Sequence, residues 1–201
     1  MSCSMRGNIV SFSFVTSILS SLKMELISYS SATSSSVFSS ASSECTTIFS
    51  ADCTPVLLYD PVARAIGAAH AGWRGTAAGI AARVVEAMQR EFGSKPENIR
   101  AAIGPCIGAC CFETDADVPE AMLAALGEEA RRAIRPAGNK FYVNLKELNA
   151  LWLERAGLHR IDISCDCTAC QPQRFWSHRR VGNARGSLAA VIMLPEGEAQ
   201  E

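Results

Sequence analysis

The sequence predicts a single domain of the α/β to α+β class, in which helices flank mixed β-sheets. The chain has 201 residues, and 48% of them are hydrophobic, which is enough for one sizeable core. From residue 51 onward, short apolar runs typical of strands alternate with helical patterns. The alternation lacks a strict strand–helix–strand repeat, so a mixed sheet fits better than a doubly wound parallel one.

The chain divides into three segments. Residues 1–50 contain 18 serines, whereas the rest of the chain contains four. Such a tract has few large apolar side chains to offset the entropy of ordering, so we expect a divergent, poorly ordered segment in which only CTTIFS is extended. Its apolar stretch is broken by serines and has no clear cleavage site, which argues against a signal peptide. We assign residues 51–195 to the folded domain and residues 196–201 to a tail.

The first half of the domain is predicted to contain three strands and one helix. Thr76 is placed to cap a helix from Ala77 to about Phe92, with apolar residues at helical spacing and Gly93 as its stop. A turn at Asp60-Pro61 joins the first two strands. The predicted strands are PVLLYD (55–60), AIGAAHAG (65–72) and IRAAIG (99–104).

The second half is predicted to contain two helices and three further strands. Residues 117–126 form a short helix with a proline in its first turn. Asn144 and Glu147 resemble a capping box that opens a helix running to about Ala156. The predicted strands are KFYVNL (140–145), RIDISC (160–165) and GSLAAVIML (186–194).

Bulk properties exclude several classes of partner. The net charge of −1 gives no basis for binding nucleic acid or an anionic membrane. No apolar run approaches the ~18 residues that a spanning helix needs. Nine cysteines are an odd number, and a chain of this length does not need disulfide staples, so we expect reduced thiols in a cytoplasmic protein. Nothing in the sequence requires an oligomer, and we favour a monomer.

A cysteine and a histidine beside two predicted strands are candidate metal ligands. Cys53 precedes the first strand, and His70 lies near the end of the second. Zinc takes cysteine sulfur and histidine nitrogen, and a catalytic zinc usually has three protein ligands. The alternative is a buried thiol and a hydrogen-bonded imidazole. In HAGWRG, Arg74 stands between glycines that let a ligand approach the backbone, and it either binds phosphate or carboxylate or is a surface arginine.

Three further segments contain residues that could bind a metal ion or a ligand. IGPCIGACCFE (103–113) holds Cys106, Cys110 and Cys111, either as buried thiols lining a tight turn or as a redox pair or metal clamp. Cys167 and Cys170 have zinc-knuckle spacing, but such a site needs a second pair, and none lies nearby along the chain. In a third segment, FWSHRR and the arginine that follows it either bind an anionic, ring-bearing ligand or form a solvated rim.

These motifs together resemble the laccase-domain family. The order and spacing of ADCTPVLLYD, AAHAGWRGTAAGI, IGPCIGACCFE and FWSHRR are similar to that family over about residues 51–194. Members are known as polyphenol oxidases and as purine nucleoside phosphorylases with adenosine deaminase activity. The resemblance implies a mixed α/β domain with a zinc site made by His, Cys and His, of which Cys53 and His70 match the last two.

The resemblance also implies that the first ligand histidine lies upstream, where this chain is serine-rich. The chain has only His70, His159 and His178. A truncated or frame-shifted gene start would explain the missing ligand, as would a protein that has lost its metal. His178, in a motif shared with the family, is the main candidate for a substitute.

The activity implied by the resemblance is zinc-dependent phosphorolysis of adenosine, inosine and methylthioadenosine, together with deamination of adenosine. Purine nucleosides and phosphate would then be the ligands, with Arg74, Arg179 and Arg185 binding substrate. The alternatives are a polyphenol oxidase binding copper and a catalytically inactive relative. A multicopper oxidase needs a histidine-rich trinuclear cluster, which three histidines do not supply.

Overall fold

The computed structural model describes residues 36–40 and 45–194, in which helices pack against mixed β-sheets. No helix in this part of the chain is both long and apolar enough to cross a membrane. The strands are β1 (Ser36–Ser40), β2 (Cys45–Ser50), β3 (Thr54–Asp60), β4 (Ala65–Ala71), β5 (Arg100–Ile103), β6 (Glu113–Thr114), β7 (Ile134–Ala137), β8 (Lys140–Val143), β9 (Arg160–Ile163) and β10 (Leu188–Met193). The helices are α1 (Trp73–Ala77), α2 (Ile80–Phe92), α3 (Asp117–Leu126), α4 (Leu145–Arg155) and α5 (His178–Val181), with 3-10 turns at Gly127–Ala133 and Gly182–Ala184.

Five strands form the central sheet in the order β1-β4-β3-β5-β9. Strands β3 and β4 are an antiparallel hairpin, β5 runs antiparallel to β3, and β9 runs parallel to β5. The predicted turn between β3 and β4 is confirmed, since the Asp60 carboxylate accepts the N–H groups of Val62 (2.8 Å) and Ala63 (3.0 Å). Every predicted strand corresponds to a strand of the structure.

Helix α2 packs against the central sheet. Its predicted apolar stripe is buried, with Ile80, Val84 and Met88 in the same core cluster as β3 and β4 residues. The helix lies so close to β4 that a Cβ on Gly67 would be 2.8 Å from Val84 and Met88 side-chain atoms. Only glycine allows this approach of helix to sheet.

Two smaller sheets complete the domain. The pair β10-β2 lays Ile48 and Ile192 over Leu57 and Ala68 on the sheet face formed by β3 and β4. The three-stranded sheet β6-β8-β7 packs with α3 and α4 around a second core cluster. The predicted cap of α4 is present, because Asn144 Oδ1 accepts the N–H of Glu147 at 3.4 Å.

The prediction that Thr76 caps a helix from Ala77 is wrong. The chain forms the short helix α1 first, breaks at Gly79 with φ of 70°, and only then enters α2. Thr76 lies inside α1, where its hydroxyl accepts a hydrogen bond from Asn149 and its carbonyl accepts one from Trp152 Nε1 at 2.7 Å. These tertiary contacts with α4 fix Thr76 within the helix.

The serine-rich segment contributes two strands, β1 and β2. CTTIFS is β2, as predicted, and it buries Thr46, Ile48 and Ser50 on one face. Strand β1 pairs antiparallel with β4 at the sheet edge. The other residues of 1–50, and the predicted tail at 196–201, lie outside the described residues, so the expectation of poor order there stays a prediction.

Candidate metal and substrate site

Cys53 and His70 lie at the same end of the β3–β4 hairpin. The register pairs Thr54 with Ala71 and Pro55 with His70, so Cys53 comes beside the end of β4. A Cβ built on Gly72 would be 3.1 Å from Cys53 Sγ, which places the sulfur directly against the segment that follows His70. The hairpin thus brings together two residues that are seventeen positions apart.

The His70 ring is oriented by the neighbouring strand β2. Its Nδ1 lies 3.0 Å from the carbonyl oxygen of Phe49. The carbonyl can only accept, so Nδ1 carries the proton and Nε2 keeps its lone pair. Burial lowers the pKa of His70, the Phe49 hydrogen bond opposes this, and the Arg185 charge lowers it further. The neutral imidazole that results is the form that binds a metal ion.

Cys53 and His70 share a charged neighbour, Arg185. Burial raises the pKa of Cys53, the Asp52 charge raises it further, and the Arg185 charge lowers it. Arg185 Nε donates to Nδ1 of His178 at 3.3 Å, and its Nη1 donates to the carbonyl of Gly186 at 3.2 Å. Arg185 is therefore near enough for its charge to act on both Cys53 and His70, and it contacts His178 of the same sequence motif.

Asp52 connects the segments around this site by hydrogen bonds, and the sequence analysis did not identify it as a site residue. Its carboxylate is buried and accepts three hydrogen bonds, from the hydroxyls of Thr168 (2.6 Å) and Ser177 (3.0 Å) and from the backbone N–H of Arg179 (2.7 Å). The residue has φ of 81°, a left-handed conformation that aspartate tolerates better than most residues. The signal in the sequence was an acidic residue directly before a candidate ligand.

The three predicted substrate arginines have different surroundings. Arg74 is exposed, and its guanidinium lies 4.2 Å from the centre of the Trp73 ring. Arg179 donates to the carbonyls of Cys111 (3.2 Å) and Glu113 (3.0 Å), so its guanidinium holds the loop before β6. Arg185 lies beside His178, as described above. The charge of Arg185 therefore acts on Cys53 and His70, whereas the guanidinium of Arg179 binds the carbonyls of Cys111 and Glu113.

Four cysteines form a cluster that sequence reasoning did not assemble. The sulfurs of Cys110, Cys111, Cys167 and Cys170 all lie within 4.8 Å of one another. Burial raises the pKa of Cys110 to about 11, and also raises that of Cys111. Burial opposes ionisation of Cys167 too, but N–H donation from Gly108 and Cys170 outweighs it and brings the pKa of Cys167 to about 7.

Cys106 is the only cysteine of the loop 103–113 outside the cluster. It is fully buried, and its thiol donates to the carbonyl of Ile107 at 3.3 Å. The interpretation of buried thiols lining a tight turn is therefore right for Cys106 and wrong for Cys110 and Cys111. The cluster members are free thiols, as are Cys45, Cys53 and Cys106.

The family is established by comparison with known proteins. The family model described as multi-copper polyphenol oxidoreductase laccase matches residues 23–195. The chain belongs to this family. The match extends upstream of residue 51, where the sequence alone showed no resemblance.

Relatives of this chain include proteins named as nucleoside enzymes. The chain is 38% identical over 148 residues to the purine nucleoside phosphorylase YlmD of Bacillus subtilis, covering 73% of this chain and 53% of that protein. It is 33% identical over 173 residues to the purine nucleoside phosphorylase YfiH of Shigella flexneri, covering 86% and 69%. The chain thus spans about half the length of the first of these relatives.

Solved structures share the fold. The crystal structure of YlmD from Geobacillus stearothermophilus matches with a TM-score of 0.76 and 35% identity, over 80% of this chain and 61% of that one. A Bacillus licheniformis protein titled hypothetical protein YfiH matches with a TM-score of 0.72 and 39% identity, over 75% and 58%.

Proposed function

We propose that this chain is a purine nucleoside phosphorylase that uses the Cys53/His70 end of the hairpin as its active site. The observation that carries the proposal is the orientation of His70. The Phe49 carbonyl fixes the proton on Nδ1 and leaves Nε2 as a ligand at the strand end where Cys53 also lies. The family and the names of its members support the reaction class.

The donor set of this site fits zinc. A thiolate and a neutral imidazole are both ligands that zinc prefers. The His70–Phe49 hydrogen bond is the kind of outer contact that orients a metal-binding histidine. When bound, zinc would polarise a substrate oxygen or lower the pKa of a water molecule. Cys53 and His70 would hold it, and we propose that neither acts as a proton donor.

The arginines are proposed to bind the phosphate. In phosphorolysis, a phosphate oxygen forms a bond to C1′ of the ribose while the bond to the purine nitrogen breaks. We propose that Arg185, whose charge acts on Cys53 and His70, and Arg74, exposed after β4, hold the phosphate by charge-assisted hydrogen bonds. Arg179 is proposed as a positioning residue, because its guanidinium binds the carbonyls of Cys111 and Glu113.

Specific substrates are proposed for the same Cys53/His70 site. We propose adenosine, inosine and methylthioadenosine as nucleosides for phosphorolysis and adenosine as a substrate for deamination, in a monomeric cytoplasmic protein whose described thiols are mostly free. Copper in place of zinc at Cys53 and His70 is the alternative cofactor. A multicopper mechanism is not proposed, since the chain contains three histidines.

The test is phosphate-dependent release of purine base from adenosine and inosine, followed by chromatography. We expect turnover that requires phosphate and that Cys53→Ser and His70→Ala abolish. Cys45→Ser and His159→Ala are matched controls, because both residues are exposed and neither borders the site. Equal turnover in all four variants, or base release without phosphate, would contradict the proposal.

A further inference from the structure

We propose that Cys110, Cys111, Cys167 and Cys170 form a second, structural metal site that binds one zinc ion. All four sulfurs lie within 4.8 Å of one another. Cys170 Sγ is 3.5 Å from Cys110 Sγ and 3.4 Å from Cys111 Sγ. This site is built from residues that take no part in the Cys53/His70 pair, and it goes beyond the proposed activity.

The spacing fits a tetrahedral tetrathiolate. Zinc–sulfur bonds are ~2.3 Å, so tetrahedral ligands around one ion have sulfurs about 3.8 Å apart. Two of the sulfur–sulfur distances are 3.4 and 3.5 Å and all lie within 4.8 Å, so small rotations of the side chains would satisfy this spacing. Four cysteine ligands leave no open position for water or substrate, which is the arrangement of structural zinc sites.

The backbone around the cluster is shaped to hold the sulfurs. The N–H of Gly108 donates to Cys167 Sγ at 3.1 Å, a contact that stabilises a ligand thiolate. A Cβ on Gly108 would lie 3.2 Å from Cys110 Sγ and 3.3 Å from Cys167 Sγ, so a side chain there would have to displace these sulfurs by a few tenths of an ångström. A β-bridge between Cys106 and Cys167 locks the two cysteine-bearing loops in register.

Two arginines supply positive charge at the rim of the cluster. Four thiolates around one divalent ion leave a net charge of about −2, which requires compensation in a partly buried site. Arg179 Nη1 donates to the carbonyl of Cys111 at 3.2 Å, and Arg180 Nη1 donates to the carbonyl of Ala169 at 3.2 Å. Both acceptors belong to the metal-binding loops themselves.

Disulfides explain this arrangement less well. Adjacent cysteines have Cα atoms about 3.8 Å apart, below the usual range for a disulfide, so Cys110 and Cys111 are a poor pair. Cys170 Sγ lies 3.4–3.5 Å from both Cys110 Sγ and Cys111 Sγ without bonding to either, and all four cysteines are free thiols. One metal ion uses all four sulfurs together.

The proposed zinc would also stabilise the Cys53/His70 site, through hydrogen bonds to Asp52. Thr168 lies between Cys167 and Cys170, and its hydroxyl donates to the Asp52 carboxylate at 2.6 Å. Asp52 is adjacent to Cys53 and also accepts the Arg179 N–H. A metal that fixes the loop of Thr168 therefore also fixes the hydrogen bonds that hold Asp52.

The test measures metal in the full chain, purified under reducing conditions without chelators. We expect close to one tightly held zinc per chain, retained when Cys53→Ser and His70→Ala are combined, so the result is independent of the proposed activity. Adding Cys170→Ser to that background should remove most of the zinc. Cys106→Ala is the matched control, since Cys106 belongs to the same loop but not to the cluster. Cobalt in place of zinc should give thiolate-to-cobalt charge-transfer bands and the intense visible bands of tetrahedral cobalt.

A second measurement does not depend on the variants folding. Alkylation of the folded, unmodified chain, mapped by mass spectrometry, should label the four cysteines only after a chelator removes the metal, although Cys110 and Cys170 are exposed. Labelling of Cys110 and Cys170 without chelator would overturn the proposal. The same holds for a disulfide among the four, for iron in place of zinc, or for unchanged zinc in the Cys170→Ser variant.

Discussion

At the scale of single residues, Asp52 is the centre of the candidate site. It connects three segments that are far apart in the chain, through hydrogen bonds to Thr168, Ser177 and the backbone of Arg179. Because the carboxylate is buried, all three donors depend on it and have no water to replace it. Cys53 is the next residue, so the position of a candidate metal ligand depends on the geometry of Asp52.

The first prediction concerns Asp52→Asn. Asparagine also tolerates the left-handed backbone, so the change affects the hydrogen bonds rather than the turn. Asparagine loses the negative charge that strengthens the three hydrogen bonds, and its NH2 group would require the Thr168 hydroxyl to accept instead of donate, so we expect the free energy of unfolding to fall by about 2 kcal/mol, measured by urea denaturation. Asp162→Asn, at an exposed position of β9, is the control and should change stability little. Equal effects of the two variants would contradict the role of Asp52.

The second prediction concerns Arg74→Ala, and it rests on the proposed function. Only phosphorolysis requires an anion to be held, so its rate should fall more than the rate of deamination. Loss of a charge-assisted hydrogen bond worth about 1.5–3 kcal/mol corresponds to roughly 10- to 100-fold in kcat/KM. Arg83→Ala, at an exposed position of α2, is the control. Equal losses in phosphorolysis and deamination would remove the phosphate role from Arg74.

At the scale of elements, the connection from β4 into α2 is set by α4 rather than by local capping. Trp152 of α4 donates its indole N–H to the Thr76 carbonyl, and its ring lies against Gly79. The chain therefore ends α1, turns through a left-handed glycine and starts α2 against a fixed aromatic ring. Capping rules consider only residues that are neighbours in the sequence. They do not include the Trp152 ring, and they therefore wrongly predict Thr76 as the cap of the helix.

The third prediction compares Gly79→Ala with Gly93→Ala. Both glycines have positive φ, of 70° and 65°, and alanine in this conformation costs about 1–2 kcal/mol. A Cβ on Gly79 would also lie 3.3–3.4 Å from the Trp152 ring, whereas a Cβ on Gly93 would meet nothing within 4 Å. We expect Gly79→Ala to reduce the free energy of unfolding more than Gly93→Ala. A larger loss for Gly93→Ala would show that Trp152 does not constrain the turn.

At the scale of the whole molecule, local patterns predicted the elements but not the contacts between distant loops. Apolar runs identified the strands of the central sheet, and Gly93 and the Asn144 cap identified helix ends, because each depends on neighbouring residues. The position of Cys53 and His70 at one end of a hairpin was also predictable from the two strands, whereas a shared metal ion there stays a prediction. The cysteine cluster was not predictable, because its two halves are 59–60 positions apart and meet through a β-bridge and hydrogen bonds between loops.

The last prediction compares the zinc affinities of the two proposed metal sites. The Cys53/His70 site offers two ligands, so zinc there would complete its shell with water, and the thiolate would form with less charge stabilisation. We expect a second equivalent of zinc to bind the chain weakly, and His70→Ala to abolish that binding. The loss of affinity relative to a three-ligand site should exceed the roughly 10- to 100-fold that removal of an outer contact costs.

His178 and an upstream histidine are the two candidates for a third ligand at the proposed Cys53/His70 site. His178 lies beside Arg185, so His178→Ala tests whether it substitutes for the missing ligand, and we expect little change in the second zinc affinity. Placing the upstream segment of the Geobacillus YlmD relative before residue 45 should tighten the second zinc and raise nucleoside turnover together. Competition with a chromophoric chelator measures the first quantity, and base release measures the second. Tight second-site binding in the unmodified chain that His178→Ala removes would instead make His178 the third ligand.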